Sequence, residues 1–391
     1  MASPYSSLPQ NAFWRSAIAD RNPFDIDELW APRFMIARTD PLVTFGSCFA
    51  QHLSNAMQRN GFNWHNGEPA PRSVTPDVAR RYNYGVFSAR TGNIYTTTLL
   101  LQWTRWAIDP GTIPDIVWER DGRFFDPFRP NVEPDGFADA DELRRSRLAT
   151  ARAFLDCIAS ARCFVFTLGL TESWHDVGGW EYPMCPGTVA GTFDAERHEF
   201  RNLDVATVIG SLRDAMTLMR GLNPELKFLF TVSPVPLTAT NSGQHVLVAT
   251  TYSKSVLRAA VGAICAEDQR ADYFPSYEII SGAPFRAMFF EPNMRGVNQR
   301  GVDLVMSHVF RGLGHEQGED TEDLERRIRR DERKRAKKER LRREATAVGG
   351  AEPAPPDGGK GRGPSTGRSK SRSATKADLV CEEEILDAFG T

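Results

Sequence analysis

The stretch PLVTFGSCFAQHLSNAMQRNG occupies residues 41–61 and sets the fold. Pro41–Phe45 is a short apolar run that ends at Gly46, suited to a buried strand. Phe49, Leu53 and Met57 then recur at four-residue spacing, the mark of a helix with one buried face, and Gly61 stands where a C-terminal capping glycine belongs. A strand that turns through glycine straight into a helix is the opening unit of an α/β protein. The alternation returns downstream. Asp141–Ala159 is helical by its apolar positions, and Cys163–Leu168 is a strand run. Asp204 caps a helix that carries Val208, Leu212 and Met216 and is stopped by Gly221 and Pro224. Lys227–Val232 is the next strand, Thr250–Ala266 a helix, and Tyr273–Ile280 the expected last strand, with Pro275 marking an edge or a bulge. Strands separated by amphipathic helices predict a mostly parallel sheet covered on both faces. Ligands bind such sheets beyond the C-terminal strand ends, which points to Gly46–Phe49, Gly169–Asp176 and Ser233–Thr240.

The chain has 391 residues, 41% hydrophobic and 25% charged, which fits a folded soluble domain and excludes a wholly disordered or collagen-like chain. No run approaches the ~18–20 apolar residues that cross a bilayer. The N-terminus, MASPYSSLPQNAFW, lacks a basic segment followed by an apolar one, so no secretory leader is expected. Six cysteines without a CxxC pair predict reduced thiols and a cytoplasmic setting. The net charge of −2 hides an asymmetry: residues 326–391 hold 18 Lys/Arg against 11 Asp/Glu. The expected organisation is an N-terminal arm (1–40) packed through Trp14, Phe24, Trp30 and Phe34, an α/β domain (41–314), a basic helix (315–346), a disordered Gly/Pro/Ser-rich linker (347–375) and a short acidic amphipathic peptide (376–391).

The turn at Gly46-Ser47-Cys48 carries the clearest chemistry. Unpaired amides at a helix N-terminus favour negative charge and can act as oxyanion donors, so Cys48 or Ser47 is a candidate nucleophile. A thiol at such a position can equally be an inert buried cysteine behind a structural glycine. No metal-ligand spacing and no phosphate-binding glycine loop is present, so no metal or cofactor is expected. Trp103, Trp106, Trp174 and Trp180 are more often core residues than platforms for a sugar ring.

The pentapeptide Gly46–Ala50, GSCFA, resembles the signature of the GSCFA family, grouped with the SGNH/GDSL hydrolase superfamily. The similarity runs on through Thr167–Trp174, Tyr182–Gly191, Thr231–Thr240 and His245–Ala259, covering most of residues 40–310 and none of the basic tail. The resemblance implies a three-layer α/β/α sandwich with a five-stranded sheet. It also implies esterase or O-acyltransferase chemistry on an acylated small molecule or carbohydrate, with an acyl donor as a further partner. In the superfamily's Gly-Asp-Ser register, Cys48 falls on the nucleophile position and Ser47 on the Asp position. Gly169-Leu170-Thr171-Glu172 falls on Gly-x-Asn-Asp, with the Thr171 hydroxyl in place of the amide, and Gly92 with Asn93 corresponds to the block between them. The Asp-x-x-His loop should precede the last helix, at about 301–310, yet Phe290–Asn298 contains no histidine. His245, opening a helix after the Ser233–Thr240 exit, is the first replacement to consider as general base; His175, beside Glu172 and Asp176, is the second. His52, one turn after Cys48, is the third.

Two other readings stand beside the enzymatic one. The missing histidine fits a sandwich that binds or scaffolds without turnover. The 12 basic and 3 acidic side chains of residues 326–343 could hold an anionic partner, nucleic acid or a membrane surface.

Overall fold

The structure is a computed structural model that describes residues 3–314 and 382–389. The basic helix and linker expected at 315–346 and 347–375 lie outside the described residues, as does half of 376–391. Described strands are β1 (Leu42–Gly46), β2 (Trp118–Arg120), β3 (Arg123–Phe125), β4 (Cys163–Leu168), β5 (Glu172–Asp176), β6 (Glu181–Tyr182), β7 (His198–Asn202), β8 (Lys227–Val232) and β9 (Ala271–Tyr273). The α-helices are α1 (Ala50–Arg59), α2 (Pro76–Arg81), α3 (Thr97–Ile108), α4 (Ala140–Ser160), α5 (Val205–Leu222), α6 (Val246–Glu267), α7 (Ser276–Ser281) and α8 (Gln299–Gly312).

Four strands form the central parallel sheet in the order β1-β4-β8-β9. Alternation along each strand sends side chains to opposite faces. Phe45, Phe164, Phe166, Phe228 and Phe230 join one core with α3, α4, α5 and α6. Leu42, Val165 and Leu229 join a second core with α1, α7 and α8. The chain is therefore a three-layer α/β/α sandwich.

The sheet has one strand fewer than the resemblance implies. Where a fifth strand would lie, beside β1, the contact shrinks to a single parallel bridge between Leu42 and Trp64. The Leu42 N–H donates to Asn63 (3.0 Å) and the His65 N–H to Leu42 (2.8 Å), after which the chain leaves the ladder. The last strand also differs from expectation. It ends at Tyr273, and Pro275 starts α7 rather than bending a strand, because proline suits the first positions of a helix. Glu172–Asp176 is not an open loop but the middle strand of a small antiparallel sheet, β6-β5-β7.

On the far edge, β9 is short, and the N-terminal arm lies against it. The Arg33 N–H and Trp30 Nε1 donate to the Asp272 carboxylate at 2.9 and 3.2 Å. The Arg33 guanidinium donates to the carbonyls of Asp268 (3.3 Å), Ala271 (3.4 Å) and Cys265. Phe24, Trp30 and Phe34 pack on the second core, while Trp14 is exposed. Described residues of the C-terminal end, Glu382–Phe389, form a short helical turn within the same compact unit as the sandwich.

Candidate active site

The site grows from the exit of β1. Gly46 has φ +129°, a conformation that side chains disfavour, and an added Cβ would run into the Thr167 carbonyl of the neighbouring strand. The Ser47 N–H donates to that carbonyl (3.0 Å), and the Ile94 N–H donates to Gly46 (2.9 Å). Ser47 and Cys48 are thus pinned between the β4 exit and the 92–95 segment before α1 begins. At the end of β4, the N–H groups of Gly169 and Leu170 donate to the Tyr95 carbonyl at 2.9 and 3.2 Å. Gly169 must be glycine here: a Cβ would sit 2.9 Å from the Tyr95 ring and 3.1 Å from Ser47 Cβ.

Ser47 and Cys48 are nearly covered (2% and 3% exposed), yet they are not sealed in hydrocarbon. Both line a small pocket, about 10 Å³ and room for about one water, together with Tyr95, Gly169, Leu170, Ser233, Val235, Leu237, Lys254 and Glu383. The Ser47 Oγ has no hydrogen-bond partner among the described residues. The Lys254 side chain, 2% exposed, reaches in from α6 and donates to the Gly169 carbonyl at 2.5 Å. Its neighbour Ser253 accepts from the Thr171 N–H (3.0 Å), so successive residues of one helix hold the chain leaving β4.

A larger groove of about 210 Å³ adjoins the pocket, sharing Leu170, Leu237 and Glu383 with it. Trp174, Phe200 and Met184 give it apolar walls, while Glu172, Thr240 and Asn241 give it polar ones. The Glu172 carboxylate accepts from the Thr240 hydroxyl (2.6 Å), and burial raises its pKa. Glu383, of the C-terminal segment, is met by the Arg295 guanidinium at 3.2 Å.

The expected residues separate into two groups. Gly46, Ser47, Cys48 and Gly169 come together, and Glu172 lies on the adjoining groove. Asn93 is buried in the strap beside Gly46, but it is not among the residues that line the pocket. Thr171 does not face the pocket: its hydroxyl donates to Asn202 (2.7 Å) and its N–H is held by Ser253. The histidines lie elsewhere. His245 is exposed, and its Nδ1 accepts from Leu247 N–H as the cap of α6 (3.2 Å). His175 sits on β5 facing a separate cavity with Trp106, Trp180 and Glu181; its Nε2 contacts Ser173 Oγ (2.9 Å), and burial lowers its pKa to about 4. His52 lies against Phe49, also lowered to about 4 by burial. None of the described histidines lines the Ser47/Cys48 pocket.

Lys254, Tyr95 and Arg295 escaped the sequence reading, whereas Ser233 opens the Ser233–Thr240 exit it singled out. Lys254 had a readable signal, because it falls in step with Leu257, Val261 and Ile264 on the buried face of α6, where a charged side chain is rare. Arg295 stands within Phe290–Asn298, the loop in which a histidine was sought.

Among the described residues, no helix is long and apolar enough to cross a membrane, no group of three His/Cys/Asp/Glu is placed to hold a metal ion, and the cysteines are free thiols.

The architecture and its polar strand-exit pocket define an α/β/α sandwich protein with its site at the carboxyl edge of a parallel sheet. The chain belongs to the GSCFA family, whose model matches residues 41–309. No curated protein matches the chain. No solved structure matches it either.

Proposed function

We propose that the chain is an SGNH-like acyl-ester enzyme, an esterase or O-acyltransferase, with Cys48 as nucleophile and Ser47 as the alternative. The observation that carries this reading is the polar pocket in which Ser47, Cys48 and the buried Lys254 meet at the exit of β1. In this scheme the Cys48 proton rests on Lys254 as an ammonium, and the thiolate sulfur attacks the acyl carbon. The S–C bond forms, the ester C–O bond breaks, and the departing alkoxide takes a proton from Lys254. Water or an acceptor hydroxyl then attacks the thioester, giving up its proton to Lys254 as the C–S bond breaks and the thiolate–ammonium pair is restored. Lysine serves as the base of such a pair on other folds. The groove walls, Trp174 and Phe200 with Thr240 and Asn241 nearby, suit a glycan or glycan precursor, since aromatic faces stack on sugar rings and the polar edge takes hydroxyls. A cytoplasmic setting goes with this reading, supported by free thiols at every described cysteine.

An electrophilic acyl or fluorophosphonate probe, followed by mass mapping, is expected to label Cys48 or Ser47. Cys48→Ala is expected to abolish ester turnover while the chain stays folded; unchanged turnover in that variant ends the scheme.

A second reading, a binding or scaffold protein without turnover, is favoured by the absence of a described histidine from the pocket. In that reading the basic segment at 326–343 holds an anionic partner, and salt-sensitive retention of the full chain on heparin or RNA tests it.

A further inference from the structure

We infer that Arg295, backed by Lys254, forms a carboxylate-binding subsite at the mouth of the Ser47/Cys48 pocket, and that the substrate is a carboxylate-bearing ester whose place Glu383 holds in this structure. The substrate part of this inference rests on the acyl-ester reading above.

Four observations converge on it. First, Glu383 is the charged member of the three residues that line both the small pocket and the adjoining groove, so its carboxylate stands where a ligand entering the pocket would pass. Second, the cation is fixed in advance. Arg295 is buried, and its Nε donates to the Pro236 carbonyl (3.2 Å). Its two terminal nitrogens turn to the C-terminal segment: Nη2 meets Glu383 at 3.2 Å and Nη1 approaches Glu384 at 3.7 Å. A planar guanidinium held by its Nε presents its remaining fork to a carboxylate. Third, Lys254 adds a second positive charge from inside the pocket, and it acts on Glu383 in the same sense as Arg295. Fourth, the occupant is far from the sandwich in sequence and exposed at its end. Residues 315–381 separate it from the last helix of the sandwich, and its far end, Phe389, is 71% exposed.

The segment is also an imperfect ligand. Burial pushes the Glu383 carboxyl up, and Glu172 pushes the same way, while Arg295 and Lys254 oppose them. An occupant held against its own desolvation gives way to a carboxylate that fits better. The groove beyond is closed by Leu386 of the segment, beside Trp174 and Met184, so displacement opens pocket and groove together.

The test uses the full-length chain carrying Glu383→Gln, which removes the internal carboxylate, and two probes of nearly equal shape, the α-amides of N-acetylglutamate and of N-acetylglutamine, which carry one carboxylate and none. Calorimetric titration is expected to show the glutamate probe bound about tenfold more tightly or better, as charge-assisted pairing to arginine predicts. Adding Arg295→Gln is expected to erase the difference. Arg295→Lys, which keeps the charge and loses the fork, is expected to fall between the two and separates lost recognition from lost fold. Equal binding of the two probes, or binding of neither, overturns the subsite. Inhibition of nitrophenyl acetate turnover by the same probes supplies the second arm. Discrimination in binding without turnover in any variant retains the subsite and removes the acyl-ester reading; turnover without discrimination does the reverse.

Discussion

Among single residues, the sequence was most legible where backbone geometry leaves one choice. Gly46 had to be glycine for β1 to pass so close to Thr167, and its two followers are carried to the pocket by that turn. Polar residues brought in from distant elements were not legible, because nothing near them in sequence records a contact across more than eighty residues. Lys254 meets Gly169, and Arg295 meets Glu383, only through the fold. Glu181 illustrates the consequence for pH. It is wholly buried, accepts from the Thr96 hydroxyl, and burial raises its carboxyl to about 7 from an ordinary 4.5. Between those values the folded chain binds a proton that the unfolded chain does not, so this residue's contribution is complete below pH 4.5 and lost as pH rises through 7. Glu181→Gln, neutral throughout, is expected to match the native chain at pH 4 and to exceed its stability by up to about 3 kcal/mol at pH 8. Urea denaturation across that range reads the difference, and parallel pH profiles for the two chains contradict it.

Helices proved more readable than strands at the level of elements. The apolar spacing of Asp141–Ala159 and the Asp204 cap gave α4 and α5 within a few residues, since a long amphipathic face repeats its signal every turn. Short strands carry little such redundancy. β9 has three residues, and the apolar run after it reads equally as strand or helix until Pro275 settles it by opening α7. The absent fifth strand had no signal at all, because Asn63–His65 makes one bridge and then departs. For α6 the question is what a lysine does on its buried face. Lys254→Met keeps the length and apolar stem while removing the charge. Replacing a buried cation by a well-packed side chain is often neutral or stabilising. The variant is therefore expected to hold its melting temperature and to lose ester turnover by about 100-fold or more, the usual scale for removing an acid–base group. Turnover within a few fold of native makes Lys254 a structural residue alone.

For the whole molecule, both sheet edges are covered, and the coverings differ in kind. Beside β1 the polypeptide covers itself with the chain that follows α1. Beside β9 the covering comes from residues at the other end of the sequence, with the Arg33 guanidinium satisfying carbonyls that the short strand leaves outward. An uncovered strand is a template for pairing with another copy of itself. Cutting away residues 1–40 strips Asp272 of the two donors that the arm supplies and bares the aromatic ring of Phe274, on which Trp30 packs edge-on at 5.1 Å. Light scattering is expected to show the shortened chain self-associating at concentrations where the full chain stays monodisperse, and equal scattering from the two refutes this. The arm thus serves as a permanent bumper: it guards solubility from a position remote from the pocket, so sequence drift there would surface first as precipitation rather than as altered chemistry.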